Sequence, residues 1–500
     1  MLFNSYEFSL LFLPLTLGLF YGIAKYVGYR AAASWLGIAS LFFYAYWAPR
    51  FLPLLLVSII ANYLAGSVIG KSREAMPRRS KAMLAIAIAA NLATLAYFKY
   101  ADLFISSFNA TTGWQIQLLS VVLPIGISFF TFTQIAFLVD TYRGIAREYD
   151  FVHYLLFVTY FPHLIAGPVL HHKEMMPQFR EPTTYAPRAS NLATGLAIFG
   201  IGLAKKVLLA DTFADYANPV FNAAGIGKTP DLLVAWIGVI SYTLQIYFDF
   251  SGYSDMAIGL SKMFGVDLPL NFSSPYKSTS IVEFWRRWHM TLSRFLRDYL
   301  YVAMGGNRHG VVRRHANLLI TMLLGGLWHG ANWTFVVWGG LHGAFLVANH
   351  TWRAALNRAG WPAAQAGLAR RLLGWAITLS AVMIAWVFFR AASFDAALRV
   401  LRGMTDWDTA RQLLSHGWPS FDSTFFGYPV PIDDWRRVVC KLIAGGGVAL
   451  FLPNTQSLPI RYLTGGRSSY VTIGFGLVTV FMLLAMNASR GASEFIYFNF

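Results

Sequence analysis

Apolar runs of roughly twenty residues, separated by short polar loops, recur along almost the whole chain. About 20 apolar residues are needed for an α-helix to cross a bilayer. The pattern therefore predicts an all-α, polytopic integral membrane protein with about eleven or twelve spans. The apolar runs lie at about 8–24, 32–47, 51–69, 82–98, 118–139, 151–169, 191–210, 232–248, 318–347, 372–389, 439–452 and 470–486.

Prolines interrupt two of these runs. Pro162 and Pro168 break the run at 151–169, because each proline removes a backbone hydrogen-bond donor. Non-helical backbone at membrane depth is tolerated only where it is buried in protein or lines a cavity, so we expect this segment at the wall of a reaction chamber or as a re-entrant element. Pro124 and Gly126 predict a kink in the run at 118–139.

The segment 280–301 is too rich in arginine to span lipid. It begins with Ser280 and Glu283 at the spacing of a capping box, which predicts a helix start. Apolar and basic residues then alternate at helical spacing, so we expect one amphipathic helix in the membrane interface. Arg286 and Arg297 are candidate substrate-binding residues on it, because arginine forks suit phosphate groups such as those of coenzyme A.

A second polar stretch interrupts the apolar region near 245–256. One interpretation is a polar turn at the membrane interface, and the other is the polar floor of a reaction chamber. On the second interpretation its polar side chains are candidate substrate-binding residues, namely Tyr247, Asp249, Ser251, Tyr253 and Asp255.

Charge and composition add a topology and exclude other classes. Hydrophobic residues make up 56% of the 500 residues and charged residues 13%, far below the quarter typical of soluble chains. The net charge of +17 is explained by basic loops that set topology and meet anionic lipids, and no basic soluble module indicates nucleic-acid binding. The basic loop 71–81 is predicted to be cytoplasmic, which places the N-terminus outside.

The chain divides into three predicted regions: a membrane core at 1–390, an extramembrane or interfacial segment at 391–436, and C-terminal membrane helices at 437–500. The middle segment is rich in turn residues. The single cysteine, Cys440, excludes an intrachain disulfide. Without an HExxH motif or carboxylates at zinc-ligand spacing, we expect no metal site.

His329 is the strongest candidate for chemistry. It lies within the apolar run 318–347, which predicts two membrane helices or a helix and a re-entrant turn, and an ionisable side chain there is a functional hypothesis by default. Neutral imidazole is the usual general base near pH 7. His289 is a second candidate, and Trp328 and Asn332 are candidates for lining the site. The alternative is that both histidines have structural roles only.

Six motifs resemble the membrane-bound O-acyltransferase family, most closely its alginate O-acetyltransferase branch. They are LPIGISF at 123–129, FPHLIAGP at 161–168, YFDFSGYSDMAIG at 247–259, EFWRRWH at 283–289, LRDYLY at 296–301 and LWHGAN at 327–332. The resemblance implies that His329 is the family's essential histidine and His289 its second one. It also implies helices arranged around a central funnel.

The resemblance further implies acetyl transfer across a bacterial inner membrane to a polysaccharide such as alginate, usually with a periplasmic acetyltransferase of the SGNH type. The expected donor is cytoplasmic acetyl-CoA, with no permanently bound cofactor. Cellulose and peptidoglycan are alternative acceptors within the same branch. Two alternatives of other kinds stay open at this point: a transporter of an acyl donor or glycan without chemistry, and an O-acyltransferase for lipid or protein.

Overall fold

The computed structural model describes residues 1–146, 150–165, 167–361, 367–408, 411, 435–458, 468–490 and 493–496. Throughout this part of the chain the regular structure is helical, which confirms the predicted all-α membrane fold. The α-helices, numbered in chain order, are α1 Leu13–Tyr26, α2 Tyr29–Trp47, α3 Leu52–Ser72, α4 Pro77–Leu95, α5 Ala101–Thr112, α6 Ile127–Arg143, α7 Phe151–Thr159, α8 Phe161–Leu164, α9 His172–Met175, α10 Ala189–Ala204, α11 Asp211–Gly225, α12 Leu232–Met263, α13 Ile281–Trp285, α14 Met290–Phe295, α15 Gly310–His329, α16 Trp333–Arg358, α17 Leu368–Arg390, α18 Phe394–Gly403, α19 Trp435–Phe451 and α20 Ser468–Arg490.

Within the described residues, shorter helical segments of other types join these α-helices. Four are π-helices, at Glu7–Phe12, Ala96–Tyr100, Lys205–Ala210 and Leu296–Tyr301. Five are 3₁₀-helices, at Pro49–Phe51, Met176–Arg180, Pro182–Tyr185, Pro275–Lys277 and Thr455–Ser457.

Seven helical stretches in the described residues are long and apolar enough to cross a membrane. The total of eleven or twelve spans stays a prediction, as does the funnel. The seven stretches are Glu7–Tyr26, Pro49–Ser72, Pro77–Thr112, Ala189–Gly225, Leu232–Met263, Leu368–Arg390 and Ser468–Ala488.

Two predicted element boundaries near glycine and proline need comment. The run at 118–139 is not helical throughout: α6 begins only at Ile127, after Gly126 with φ 71°. A left-handed residue that follows closely on Pro124 starts a new helix and does not kink an existing one. At 151–169 the predicted break is present, since α7 ends at Thr159 and the four-residue α8 follows.

The interfacial helix expected at 280–301 is also wrong as a single element. Ser280 does cap a helix, because its Oγ accepts a hydrogen bond from the backbone N–H of Glu283. That helix, α13, ends at Trp285, and α14 begins at Met290 after a left-handed residue, His289. The chain turns sharply between them because tertiary contacts of His289 override the local helical pattern.

α12 excludes one of the two interpretations of the polar stretch at 245–256, the polar turn at the interface. It runs without interruption through 32 residues, Leu232–Met263. Its buried acidic side chains have partners within the protein: Lys206 for Asp249, and Thr455 and Gln456 for Asp255. Burying a polar side chain costs little free energy when the side chain is hydrogen-bonded, so α12 can continue through this polar stretch.

The helices form two compact units. One consists of Met1–Ala204, Gly252–Leu270 and Thr455–Asn499, and in it α3, α4 and α6 pack together while α10 packs on α20. Asn62 and Asn91 join α3 to α4 through two amide hydrogen bonds of 3.2 and 2.6 Å. The region boundaries at residues 390 and 436 stay predictions, and 409–410 and 412–434 of the middle segment lie outside the described residues.

The other unit contains Lys205–Ser251 and Asn271–Asn454 and holds both candidate histidines. Its central feature is the α15–α16 hairpin, against which α13 and α17 pack. The two helices approach backbone to backbone: a Cβ on Gly326 would overlap the carbonyl oxygen of Phe335 and lie 3.1 Å from Cα of Gly339. Small residues permit such close packing of helices in membranes. The apolar run at 318–347 is therefore two helices and not a helix with a re-entrant turn. Neither helix is among the seven candidate spans, so it stays a prediction that both cross the membrane.

Candidate active site

His329 is the last residue of α15, at the point where the hairpin turns. Gly330 follows in extended conformation, and Asn332 caps α16 by accepting a hydrogen bond from the backbone N–H of Thr334 at 3.0 Å. The His329 side chain is 3% exposed. Its ring lies 5.0 to 5.3 Å, between centroids, from the rings of Trp328, Trp338 and Phe389.

His289 lies between α13 and α14 in a conformation that side chains rarely adopt, with φ 42° and ψ 53°. Such backbone strain persists only where surrounding contacts enforce it, and it clusters at functional sites. Here the enforcing contacts come from Asn271. Its backbone carbonyl oxygen accepts a hydrogen bond from the backbone N–H of Met290 at 2.9 Å, and its side-chain oxygen contacts His289 and Thr291.

Burial keeps His289 neutral. The residue is 0% exposed and lies outside the seven candidate spans. Removal from water disfavours imidazolium and lowers the pKa of His289 to about 3. At physiological pH the ring is therefore neutral, with one N–H and one lone pair.

The structure brings His289 and His329 together. Their ring centroids are 6.3 Å apart, with an angle of 54° between the ring planes. This separation is short enough for one bound substrate to contact both rings. Two imidazoles can thus act on one hydroxyl-bearing substrate.

Aromatic side chains enclose this pair, which we call the histidine pair. Trp288, Trp338 and Trp386 are each at most 1% exposed. The ring centroid of Trp386 lies 5.0 Å from that of Trp288 and 5.8 Å from that of Trp338. Phe250 and Phe272 cover His289, with centroids at 4.7 and 6.4 Å. Such an enclosure excludes water and strengthens electrostatic interactions at the pair.

Three further candidates lie in the same unit as the pair. Trp328 is at the pair, with its ring centroid 5.0 Å from that of His329 and 6.3 Å from that of His289. Tyr247 lies in the outer part of the aromatic cluster, 5.2 Å from Tyr276. Asn332 has a structural role: besides capping α16, its amide donates to the backbone oxygen of Ala392 at 3.0 Å.

The polar candidates of α12 are not gathered at one place. Asp249 is 2.9 Å from the ammonium of Lys206, which also pairs with Asp211 at 2.8 Å, so it belongs to a buried ion network. Ser251, the last residue of this unit in α12, is buried. Tyr253 and Asp255 belong to the other unit, where Tyr253 stacks on Phe3 and Asp255 accepts from Thr455 at 2.7 Å.

The arginine candidates differ in their freedom to bind a ligand. Arg297 is exposed and forms a two-pronged ion pair with Asp298, at 2.7 and 3.2 Å. Arg286 is exposed and contributes to a group of cationic or basic side chains whose charges all act on His350. The other members of that group are Arg314, His315 and Arg353.

The structure adds one residue that the sequence did not single out. Asn271 precedes His289 by 18 residues, in a loop with no recognisable motif, yet it bonds to His289 at 3.1 Å. His342, equally buried, is separate from the pair: its Nδ1 accepts from the indole N–H of Trp285 at 3.3 Å. Within the described residues there is no group of three or more His, Cys, Asp or Glu side chains arranged to hold a metal ion.

Comparison with known proteins decides the family. The model of the MBOAT, membrane-bound O-acyltransferase, family matches residues 43–394, which include the pair and the hairpin. The chain belongs to the membrane-bound O-acyltransferase family. It is accordingly a membrane acyltransferase, as the six motifs predict.

Relatives within the membrane-bound O-acyltransferase family carry several names. A protein named "Peptidoglycan O-acetyltransferase" from Helicobacter pylori is 42% identical, over 81% of this chain and 80% of its own length. A "Probable alginate O-acetylase" from Pseudomonas aeruginosa is 43% identical, over 82% of this chain and 76% of its own length. A "Teichoic acid D-alanyltransferase" from Streptococcus thermophilus is 27% identical, over 53% of this chain and 68% of its own length.

Proposed function

We propose that the protein transfers an acetyl group from cytoplasmic acetyl-CoA to hydroxyl groups of an extracytoplasmic polysaccharide, across the bacterial inner membrane. The single observation that carries this proposal is the histidine pair, buried in an aromatic enclosure at the turn of the α15–α16 hairpin. The names of the relatives support an acetyl group and a cell-surface polymer as acceptor.

In this mechanism His329 is the general base. It takes the proton of the attacking hydroxyl while the oxygen forms a bond to the thioester carbonyl carbon. The carbon–sulfur bond then breaks, and the departing thiolate receives the proton from His329. A positioned acid–base group contributes roughly a hundred- to ten-thousand-fold in rate, and holding both substrates in place contributes further.

The donor is proposed to approach from the side of the arginine group near His350. Arg286, Arg314 and Arg353 offer planar forks that bind phosphate oxygens in pairs, which matches the phosphates of coenzyme A. The attacking hydroxyl is proposed to be the polymer's own, and a periplasmic acetyltransferase of the SGNH type is proposed as the partner that presents the polymer to the histidine pair. Alginate and peptidoglycan are both supported as acceptors, at 43% and 42% identity of the respective relatives.

Replacement of His329 by alanine tests the proposal in cells. In a deletion strain, the intact chain should restore base-labile acetyl esters on one polymer, measured separately on exopolysaccharide and on peptidoglycan. His329→Ala should lower that ester content at least a hundredfold at equal membrane abundance. His342→Gln is the matched control, because His342 is equally buried but contacts Trp285 and not His289.

Ester content near that of the parent in His329→Ala would exclude His329 as the base. Loss of esters in both histidine variants, with equal loss of thermal stability, would assign His329 a structural role. Unchanged esters on every polymer, together with altered transport of an acyl donor or glycan, would favour the transporter alternative.

A further inference from the structure

The side-chain oxygen of Asn271 is the acceptor for several groups at the histidine pair. The backbone N–H of Thr291 donates to it at 3.3 Å and the Thr291 hydroxyl at 2.9 Å. Ring Nδ1 of His289 lies 3.1 Å from the same atom. Because a backbone N–H can only donate, this amide atom must be the carbonyl oxygen, which only accepts. Nδ1 of His289 therefore carries a proton and donates it.

This contact decides which nitrogen of His289 carries the lone pair that can accept a hydrogen bond. A neutral imidazole has one N–H, and the bond made by one nitrogen determines the state of the other. With the proton on Nδ1, the lone pair is on Nε2. Burial lowers the pKa of His289 to about 3, so the ring keeps this neutral form across the physiological range.

We propose that Asn271 is a positioning residue for the acyl transfer: it holds His289 in the Nδ1–H tautomer, so that Nε2 accepts a hydrogen bond from a second hydroxyl of the acceptor. The reacting hydroxyl gives its proton to His329, while the second hydroxyl keeps its own proton. The inference rests on the proposed function. It adds one requirement on the acceptor: a second hydroxyl group that can reach His289 while the reacting hydroxyl is at His329.

Three observations carry the assignment beyond one hydrogen bond. Asn271 is 0% exposed, as is His289, so neither side chain has water as an alternative partner. Asn271 also holds the strained backbone of His289, through the bond from Met290 at 2.9 Å. Finally, the ring centroids of the pair are 6.3 Å apart, close enough for one acceptor molecule to contact both rings through two of its hydroxyl groups.

The ring contacts of His289 include Phe250, Phe272, Trp328 and His329, and among these four only His329 is ionisable. A carboxylate introduced at Asn271 would thus be the dominant new charge. It would still accept from Nδ1–H, but it would stabilise the imidazolium, whose Nε2 cannot accept a hydrogen bond.

The test uses membrane vesicles that contain the full-length chain, labelled acetyl-CoA as donor, and the polymer whose acetylation depends on the protein. In Asn271→Ala, the KM for the polymer should rise at least tenfold, while the KM for acetyl-CoA stays within about twofold. In Asn271→Asp, which is close in shape and guards against a folding defect, the KM for the polymer should rise about tenfold between pH 8 and pH 6. The parent should show no such rise.

Nitrogen NMR of histidine-labelled protein in lipid reads the tautomer directly, with His289→Asn identifying the signal. The parent should show Nδ1–H at His289, and Asn271→Ala should shift the signal towards the other tautomer. Asn317→Ala is the matched control: Asn317 is also buried but donates to the backbone oxygens of Met304 and Gly306. It should change neither the tautomer nor the KM for the polymer.

Two outcomes would overturn the inference. One is an Nε2–H tautomer of His289 in the parent, or an unchanged tautomer and polymer KM in Asn271→Ala. The other is an equal rise of both KM values in step with lost thermal stability, which would reduce Asn271 to a structural role. Failure of the proposed function would give a different result from both. In that case Asn271→Ala would still shift the tautomer of His289, while His329→Ala would retain acetyl transfer.

Discussion

Gly326→Ala should damage the active site through the backbone contact between α15 and α16. The added Cβ would overlap the carbonyl oxygen of Phe335 and lie 3.1 Å from Cα of Gly339, whereas carbon atoms prefer about 3.5 to 4.0 Å. The two helices must therefore separate by at least about half an ångström. Neither neighbour is a flexible side chain that could move aside.

The magnitude follows from a matched control in the same hairpin, Gly340→Ala. A Cβ on Gly340 meets only the side chain of Leu323, at 3.4 Å. Both substitutions gain about 1 kcal/mol of helix propensity, so the difference between the two variants isolates the contact. Overpacking costs about 1–3 kcal/mol, and we expect Gly326→Ala to melt roughly 2–10 °C below Gly340→Ala.

Activity should fall with the same displacement. Gly326 precedes His329 by three residues, and a misplacement of about 1 Å at a reacting group can cost about a hundredfold in rate. We expect at least a tenfold loss of acetyl transfer in Gly326→Ala and parent-like transfer in Gly340→Ala. Thermal melting in detergent and the vesicle assay measure the two effects. Equal melting temperatures and equal rates in the two variants would refute the role of this contact.

Three further predictions concern a buried ion pair, the titration of His289 and the membrane topology. Lys206→Met should destabilise the protein by about 3–5 kcal/mol, because it leaves Asp249 buried without its cation. Adding Asp249→Asn should restore part of the thermal stability, and an unchanged thermal stability in Lys206→Met alone would contradict this prediction. Because the pKa of His289 is lowered in the folded protein, the unfolded chain gains a proton below about pH 6.5 while the folded protein does not. As the pH is lowered from about 6.5 to about 4, His289 should therefore reduce the free energy of unfolding by about 1.4 kcal/mol per pH unit, and the loss should be less steep in His289→Asn. A cysteine at Val312, 85% exposed near the start of α15, in a Cys440→Ser background should resist an impermeant reagent added outside intact cells. Labelling there would refute the proposed cytoplasmic approach of the donor to the arginine group that includes Arg314.

The sequence predicts those elements whose determinants are local. Ser280 and Glu283 predict a helix start because the cap is made within four residues, and the structure has it. The apolar run at 318–347 likewise predicts two helices as one of two alternatives, and the structure has two helices there. His329 can be singled out because burying a histidine in such an apolar run costs free energy, so its presence there indicates a function.

Determinants that are distant in the chain escape such reasoning. The break before α14 depends on bonds from Asn271, 18 residues upstream of His289, and a helical pattern cannot register them. Asp249 looks like a substrate ligand until Lys206, 43 residues away, is seen to neutralise it. In both cases a polar residue is assigned by a partner that only the tertiary fold supplies.

The left-handed backbone at His289 limits how this position can vary. At φ 42° most side chains are strained, and asparagine is among the few residue types that adopt this region readily. An asparagine would keep the turn between α13 and α14 and would still offer an amide oxygen as a hydrogen-bond acceptor. Position 289 is thus a place where an enzyme of this architecture can exchange imidazole for amide, whereas the helical backbone at His329 places no comparable restriction on its replacement.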